Sequence, residues 1–432
     1  MRQNPRRPVY AVFLSFSPLF YSLAPSLSMY ILASYSNVFF FFCAFLRKAP
    51  LTLRLHSLWY HPKVGSEALL MSVVPAYFLG ANSPEGFYSL YSELISPKTA
   101  RAIYLLKGGP GCGKSTLMRK VAQAAQQAGL AVEVIFCSGD PDSLDAVLLP
   151  ELGVALADAT APHVMEPKFP GVVEQYVNLG DCYDTKGLQP LRREIMACMT
   201  GYPECYSRAY RCLEAAFELS EDVRSTLLTP QLRERLTRRA KGILRRELKA
   251  KKSEEKGQVK QRFLSAVTHK GCLCLFETAA AQCPRVYVLQ DSYALGHDLL
   301  MELLTGAVEG GYDVVACPDP MAPERLQHLL IPEIGLAFLT STPSLPYEGE
   351  CVRRIRLDNI ADAALVRCSR PRLRFALKVS AALKEEAVSS LAQAKQMHDE
   401  LEALYNPHVD FRQVNELAGK IIGEILSFTE QK

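Results

Sequence analysis

Three blocks of this chain recur in the same order at nearly constant spacing, and this limits the possible folds more than any other feature. YFLGANSPEGF (77–87) lies over RFLSAVTHKGC (262–272), and RAIYLLKGGPGCGKSTLM (101–118) over PRVYVLQDSYALGHDLLM (284–301). LLPELGVALADAT (148–160) lies over LIPEIGLAFLTST (330–342), so the three offsets are 185, 183 and 182 residues. Repetition at that period implies two related units stacked in one chain, and 432 residues suffice for both. Each copy then runs into helical patterns. Leu232, Leu236, Ala240, Ile243 and Leu248 form an apolar stripe after the first copy. Leu383, Ala387, Leu391, Ala394, Leu401 and Tyr405 form one after the second, and Phe411, Val414, Leu417, Ile421 and Ile425 another beyond Asn406-Pro407. The expected organisation is an α/β half at 71–190, a helical hairpin and basic linker at 191–260, a second α/β half at 261–370, and a C-terminal helical hairpin at 371–432.

Only the first copy contains a phosphate-binding pattern. AIYLL (102–106) reads as a short buried strand and LMRKVAQAAQQAG (117–129) as a helix ended by Gly129. Between them stands G-x-x-x-x-G-K-S, with Gly108, Gly113, Lys114 and Ser115 at the fixed positions. This strand–turn–helix context is what gives such a motif weight. Glycines let backbone N–H groups curl around an anion, and a helix start adds unpaired donors and partial positive charge. Gly108, Gly109, Pro110, Gly111, Cys112, Gly113, Lys114, Ser115 and Thr116 are therefore expected to hold ATP. Lys114 should reach the β- and γ-phosphates, Ser115 should ligate Mg²⁺, and Thr116 should bond the α-phosphate.

A carboxylate must hold the metal from a neighbouring strand. GVALAD (153–158) ends in Asp158, the favoured candidate, with Asp140, Asp142 and Asp145 in the turn CSGDPDSLD (137–145) as competitors. TAPHVMEP (160–167) follows directly, so Thr160 and His163 are expected at the γ-phosphate edge, with His163 orienting the attacking water. Glu166 is a further carboxylate of no assigned role. Cys112 sits at a helix N-terminus, where thiols become more acidic, so alkylation there is expected to block nucleotide binding and ATP to protect. In the second copy Gly108 is replaced by Asp291, Lys114 by His297, Ser115 by Asp298 and Asp158 by Thr340. The cation, the hydroxyl and the metal carboxylate are lost together, so that half reads as a retained fold with a retired site.

These blocks, with SGDPDSLDAVLLPEL, DATAPHVMEPKFPGVVEQYVNLGD and AKQMHDELEALY, resemble a family of uncharacterised bacterial tandem P-loop ATPases over about 71–430. The resemblance implies two P-loop NTPase domains, each a three-layer α/β/α unit with an inserted helical hairpin, and ATP binding at Gly108–Thr116. Family members generally keep a phosphate loop in the second half; this chain does not. The expectation is a Mg²⁺-dependent ATPase with one working site. A phosphotransferase acting on a small molecule or protein, and a non-hydrolysing nucleotide-sensing scaffold, stay open as alternatives. The partner would be an unidentified protein or a second copy of the chain.

Composition narrows the setting. Thirteen cysteines, an odd number with no CxxC, suit a reducing cytoplasm better than a disulfide framework. A net charge of +4 implies no acidic partner. The basic stretch 233–262 (thirteen Lys/Arg against four Glu) lacks interleaved aromatics and base-reading motifs, so it reads as a solvated helix face rather than a nucleic-acid site. Residues 1–70 differ from the rest, with no charge between Pro8 and Leu46. Three readings stay open for them: an over-extended start before Met71, a membrane anchor over 26–46, or a signal peptide.

Overall fold

The computed structural model describes residues 74–163, 165–249, 251 and 255–430; the apolar run at 26–46 lies outside them. The first half opens with β1 (Ala76–Phe78) and the hairpin β2 (Gly80–Ser83)–β3 (Gly86–Ser89). Next come β4 (Ala102–Lys107), α1 (Lys114–Gln127), β5 (Glu133–Phe136), β6 (Leu144–Leu149), β7 (Val154–Asp158) and β8 (Glu174–Asn178). Two helices follow, α2 (Arg192–Leu227) and α3 (Pro230–Glu247). The second half repeats the plan with β9 (Val259–Gln261), the hairpin β10 (Ser265–Thr268)–β11 (Gly271–Cys274), and β12 (Arg285–Gln290). It continues through α4 (His297–Glu309), β13 (Val314–Asp319), β14 (Ala322–Ile331), β15 (Leu336–Ser341) and β16 (Arg353–Arg356), then α5 (Ala363–Tyr405) and α6 (Phe411–Ser427).

The two six-stranded sheets have the same strand order, β1-β5-β6-β7-β4-β8 and β9-β13-β14-β15-β12-β16. Both are mixed. β4 runs parallel to β7 and β8, whereas β6 is antiparallel to both neighbours, as β14 is in the copy. β6 is a strand where the sequence reads as a turn, and Asp145, expected in that turn, is buried within it at 4% exposure.

Alternation along the strands explains the layering. On β4, Ile103 and Leu105 face one core, while Ala102, Tyr104 and Leu106 face another. The first core also takes Val286 and Val288 of β12, so the inner faces of both sheets share it. The outer faces are covered by long helices. The order is thus helix, sheet, sheet, helix, which corrects the expected three-layer α/β/α unit: one helical layer of each half is replaced by the other half.

The helices are also exchanged, which departs from the expected hairpins. α3, adjacent in sequence to the first half, buries Leu232, Leu236, Ala240 and Ile243 against Leu299, Leu303 and Phe338 of the second. α6 buries Val414, Ile421 and Ile425 against Leu117, Val121 and Leu106 of the first. α2 and α5 pair antiparallel with each other instead. Arg208 Nε donates to Ser390 Oγ (2.9 Å), the Ser220 and Ser380 hydroxyls lie 3.0 Å apart, and Arg372 Nε donates to Asp222 Oδ2 (2.9 Å).

Candidate functional site

β4 is buried on both faces through Leu106 and delivers the chain to the glycine-rich turn. Gly111 (φ 68°) and Gly113 (φ 86°) have left-handed backbones, which glycine adopts without steric cost. Gly113 caps α1 with no side-chain acceptor for the first helical N–H groups, so those donors stay available to an anion. Lys114 turns back over the loop. Its Nζ donates to Gly108 O (2.8 Å) and Gly109 O (3.0 Å) and stands 3.6 Å from Asp158 Oδ2. β7 pairs with β4 so that Asp158 lies opposite Leu106, at the strand end beside the loop. Thr160 fixes that carboxylate, since its N–H (2.9 Å) and its hydroxyl both donate to Asp158 Oδ1. Ser115 Oγ accepts the N–H of Leu144 at 2.9 Å.

The competing aspartates face elsewhere. Asp140 lies 3.4 Å from Lys395 Nζ on α5, and Asp142 pairs with Lys270. Of the acidic candidates, Asp158 is the one that meets Lys114. Glu166 is exposed and accepts the Tyr176 hydroxyl at 3.0 Å.

Two side chains lie elsewhere than expected. Cys112, a residue 1% exposed, packs in the core under α1 with its Sγ 3.8 Å from Lys114 Nζ. His163, expected beside the γ-phosphate, is 7% exposed and turned inward. Its ring centroid lies 4.9 Å from that of Tyr91 and 5.2 Å from that of Phe87, and its Nε2 is 3.4 Å from Asp145 Oδ2.

The C-terminal helices of the second half enclose the loop. A Cβ on Gly111 would stand 2.7 Å from Asn406 Oδ1, and one on Gly113 would touch Val414 and Phe411. Sequence reasoning missed these residues because their place depends on the helix exchange.

The matching turn of the second copy is built differently. Asp291 replaces Gly108, and its buried carboxylate accepts the N–H groups of Tyr293 (3.2 Å), Leu295 (3.0 Å) and Gly296 (2.7 Å). Backbone donors of the kind that would hold a phosphate are thus bound to an anion from the chain itself. Burial is the main cause that pushes this carboxyl up to about 6, against the opposing pull of the three N–H bonds. Thr340 occupies the register position of Asp158, opposite Leu289. His297 Nδ1 accepts the N–H of Leu326 (3.1 Å), and Asp298 pairs with Arg233 of α3 (2.9 Å). A cavity of about 310 Å³, lined in part by Asp291, His297, Asp319 and Lys384, remains beside this loop.

A family model described as Nephrocystin 3, N-terminal, matches residues 89–242, from the end of β3 into α3. No curated protein and no solved structure matches the chain. Among the described residues, no helix is long and apolar enough to cross a membrane.

Proposed function

We propose that the first half binds a nucleoside triphosphate, ATP foremost, at Gly108–Thr116 and hydrolyses it in a Mg²⁺-dependent reaction, and that the second half does not. On this reading the chain is a duplicated P-loop NTPase with one working site. The observation that carries it is the convergence of a glycine turn, the start of α1, Lys114 and Asp158 at one sheet edge, with Lys114 3.6 Å from Asp158. Ligands bind at the carboxyl ends of strands in such sheets. The loop N–H groups would hold the phosphates. Lys114, now bonded to Gly108 O and Gly109 O, would exchange those carbonyls for β- and γ-phosphate oxygens, and Thr116 would reach the α-phosphate. The hydroxyl of Ser115 and the carboxylate of Asp158 are the hard oxygen donors that suit Mg²⁺, which would neutralise phosphate charge there. The resemblance to tandem P-loop ATPases supports the same assignment. It also agrees with a protein of a reducing, cytoplasmic compartment whose partner is another protein or a second copy.

The inward turn of His163 favours a second reading: with that imidazole turned away from the loop, turnover is slow and nucleotide occupancy is itself the signal. Phosphate release from Mg-ATP by the purified chain separates the two. Release that Lys114→Ala abolishes supports hydrolysis, tight binding without release supports the sensor, and ADP formed only with an added acceptor, without free phosphate, would make it a phosphotransferase.

A further inference from the structure

Behind the loop, three side chains from different segments meet, and one of them carries a buried nitrogen with no hydrogen-bond partner. Cys137 follows β5, Asp145 lies in β6, and His163 lies in the turn after β7. One ligand atom from each lies within 4.8 Å of the others. Asp145 and His163 are buried, and Cys137 is half-buried. His163 is the telling member. Its Nδ1 is buried with no partner, and its Nε2 stands 3.4 Å from Asp145 Oδ2, close but unbonded. Buried imidazole nitrogens left unpaired cost free energy and are rare, so an unpaired one calls for an explanation. Tyr91 donates its hydroxyl to Asp145 Oδ2 (2.6 Å), an outer contact of the kind that orients a metal-binding carboxylate.

We propose that Cys137, Asp145 and His163 form a binding site for a zinc-like divalent transition metal, with water as the fourth ligand. Thiolate, imidazole and carboxylate together are the donor set of Zn²⁺ rather than of Mg²⁺. Zinc bond lengths at tetrahedral angles place ligand atoms about 3.3–3.6 Å apart, and the His163–Asp145 separation already meets this. A thiolate and a carboxylate also balance the two charges of the ion, so the occupied site is neutral overall and suited to burial. The ion would take the place of the Cys137 thiol proton, so binding would release that proton. The second half has no equivalent: Asp319, Gln327 and Leu345 stand at the matching places in the repeat. The ion would tie together the ends of β5, β6 and β7, the last of which carries Asp158. It is separate from the Mg²⁺ of the nucleotide and does not depend on nucleotide binding.

The test uses the full chain, reduced, stripped with a chelator and titrated with Co²⁺ as a spectroscopic stand-in. The expected result is one equivalent bound, with a thiolate-to-cobalt charge-transfer band and four-coordinate visible bands, all displaced by Zn²⁺. Cys137→Ser should abolish the charge-transfer band, and His163→Gln should weaken binding at least tenfold. Lys114→Ala should leave both unchanged. Circular dichroism checks that each variant is folded; should Cys137→Ser unfold, His163→Gln decides alone. Cobalt bound without a sulfur band, a band that survives Cys137→Ser, or unchanged affinity in folded His163→Gln would overturn the assignment.

Discussion

Single residues separate the two halves. Lys114→Ala is expected to lower Mg-ATP affinity or turnover at least tenfold, whereas His297→Ala, at the matching place in the other loop, should change neither; fluorescence titration and phosphate release read both. Asp291 gives a sharper test, because its carboxyl is raised by burial to about 6. A group whose folded value lies above its unfolded value binds more protons when folded. Its stabilising contribution is therefore complete below about pH 4 and is lost as pH rises through 6. The wild-type protein should lose about 1–3 kcal/mol of stability over that window on account of this group. Asp291→Asn should flatten that part of the profile in denaturant melts across pH 4–7, since the amide oxygen still accepts N–H bonds and has no proton to lose. A profile unchanged by the substitution would count against the buried, self-bound carboxylate. The Cys112 thiol, at 1% exposure, should react slowly with alkylating reagents whether or not ATP is present.

Among the elements, β4, the glycine turn and α1 were legible because one local signal specifies each: an apolar run, a turn that requires left-handed glycines, and a helix with a closing Gly129. β6 was not, because the acidic turn before it and Asp145 within it read as solvent-facing, although both neighbouring strands bury it. The exchange of α3 and α6 could not be read at all. An apolar stripe says that a helix buries a face, but not which of two related sheets receives it. The copies carry similar outer faces, so sequence adjacency misleads. The exchange makes a measurable prediction. Leu236→Ala on α3 should destabilise by about 2–4 kcal/mol and speed amide hydrogen exchange in α4 and β12 of the second half. Ile425→Ala on α6 should act instead on α1 and β4. The reverse pattern would mean that each helix packs on its own half.

Across the molecule, the halves are tied by buried chemistry as well as by helices. Arg262, fully buried at the start of the second half, donates Nε to Glu133 Oε1 of β5 (2.8 Å), and its remaining nitrogens reach the carbonyls of Glu93, Leu94 and Gln261. Burial alone would raise the Glu133 carboxyl, but Arg262 and Lys260 together hold it below its usual range. Arg262→Ala should therefore cost about 3–5 kcal/mol in urea melts, because it leaves buried Glu133 with Lys260 as its one cationic partner and takes the donors from the Glu93 and Leu94 carbonyls. α5 runs from the second-half cavity, which Ser380 and Lys384 line, to the glycine-rich turn, where Glu402 and the following Asn406 lie against Gly111. The central claim, that the amides of Gly108–Thr116 and the Lys114 ammonium receive a polyphosphate, is tested most directly by calorimetric titration of Mg-ATP into the purified chain and its Lys114→Ala variant. The account predicts saturable heat with one site per chain, lost in the variant; no heat from the wild-type protein, or equal heat from both, would contradict it.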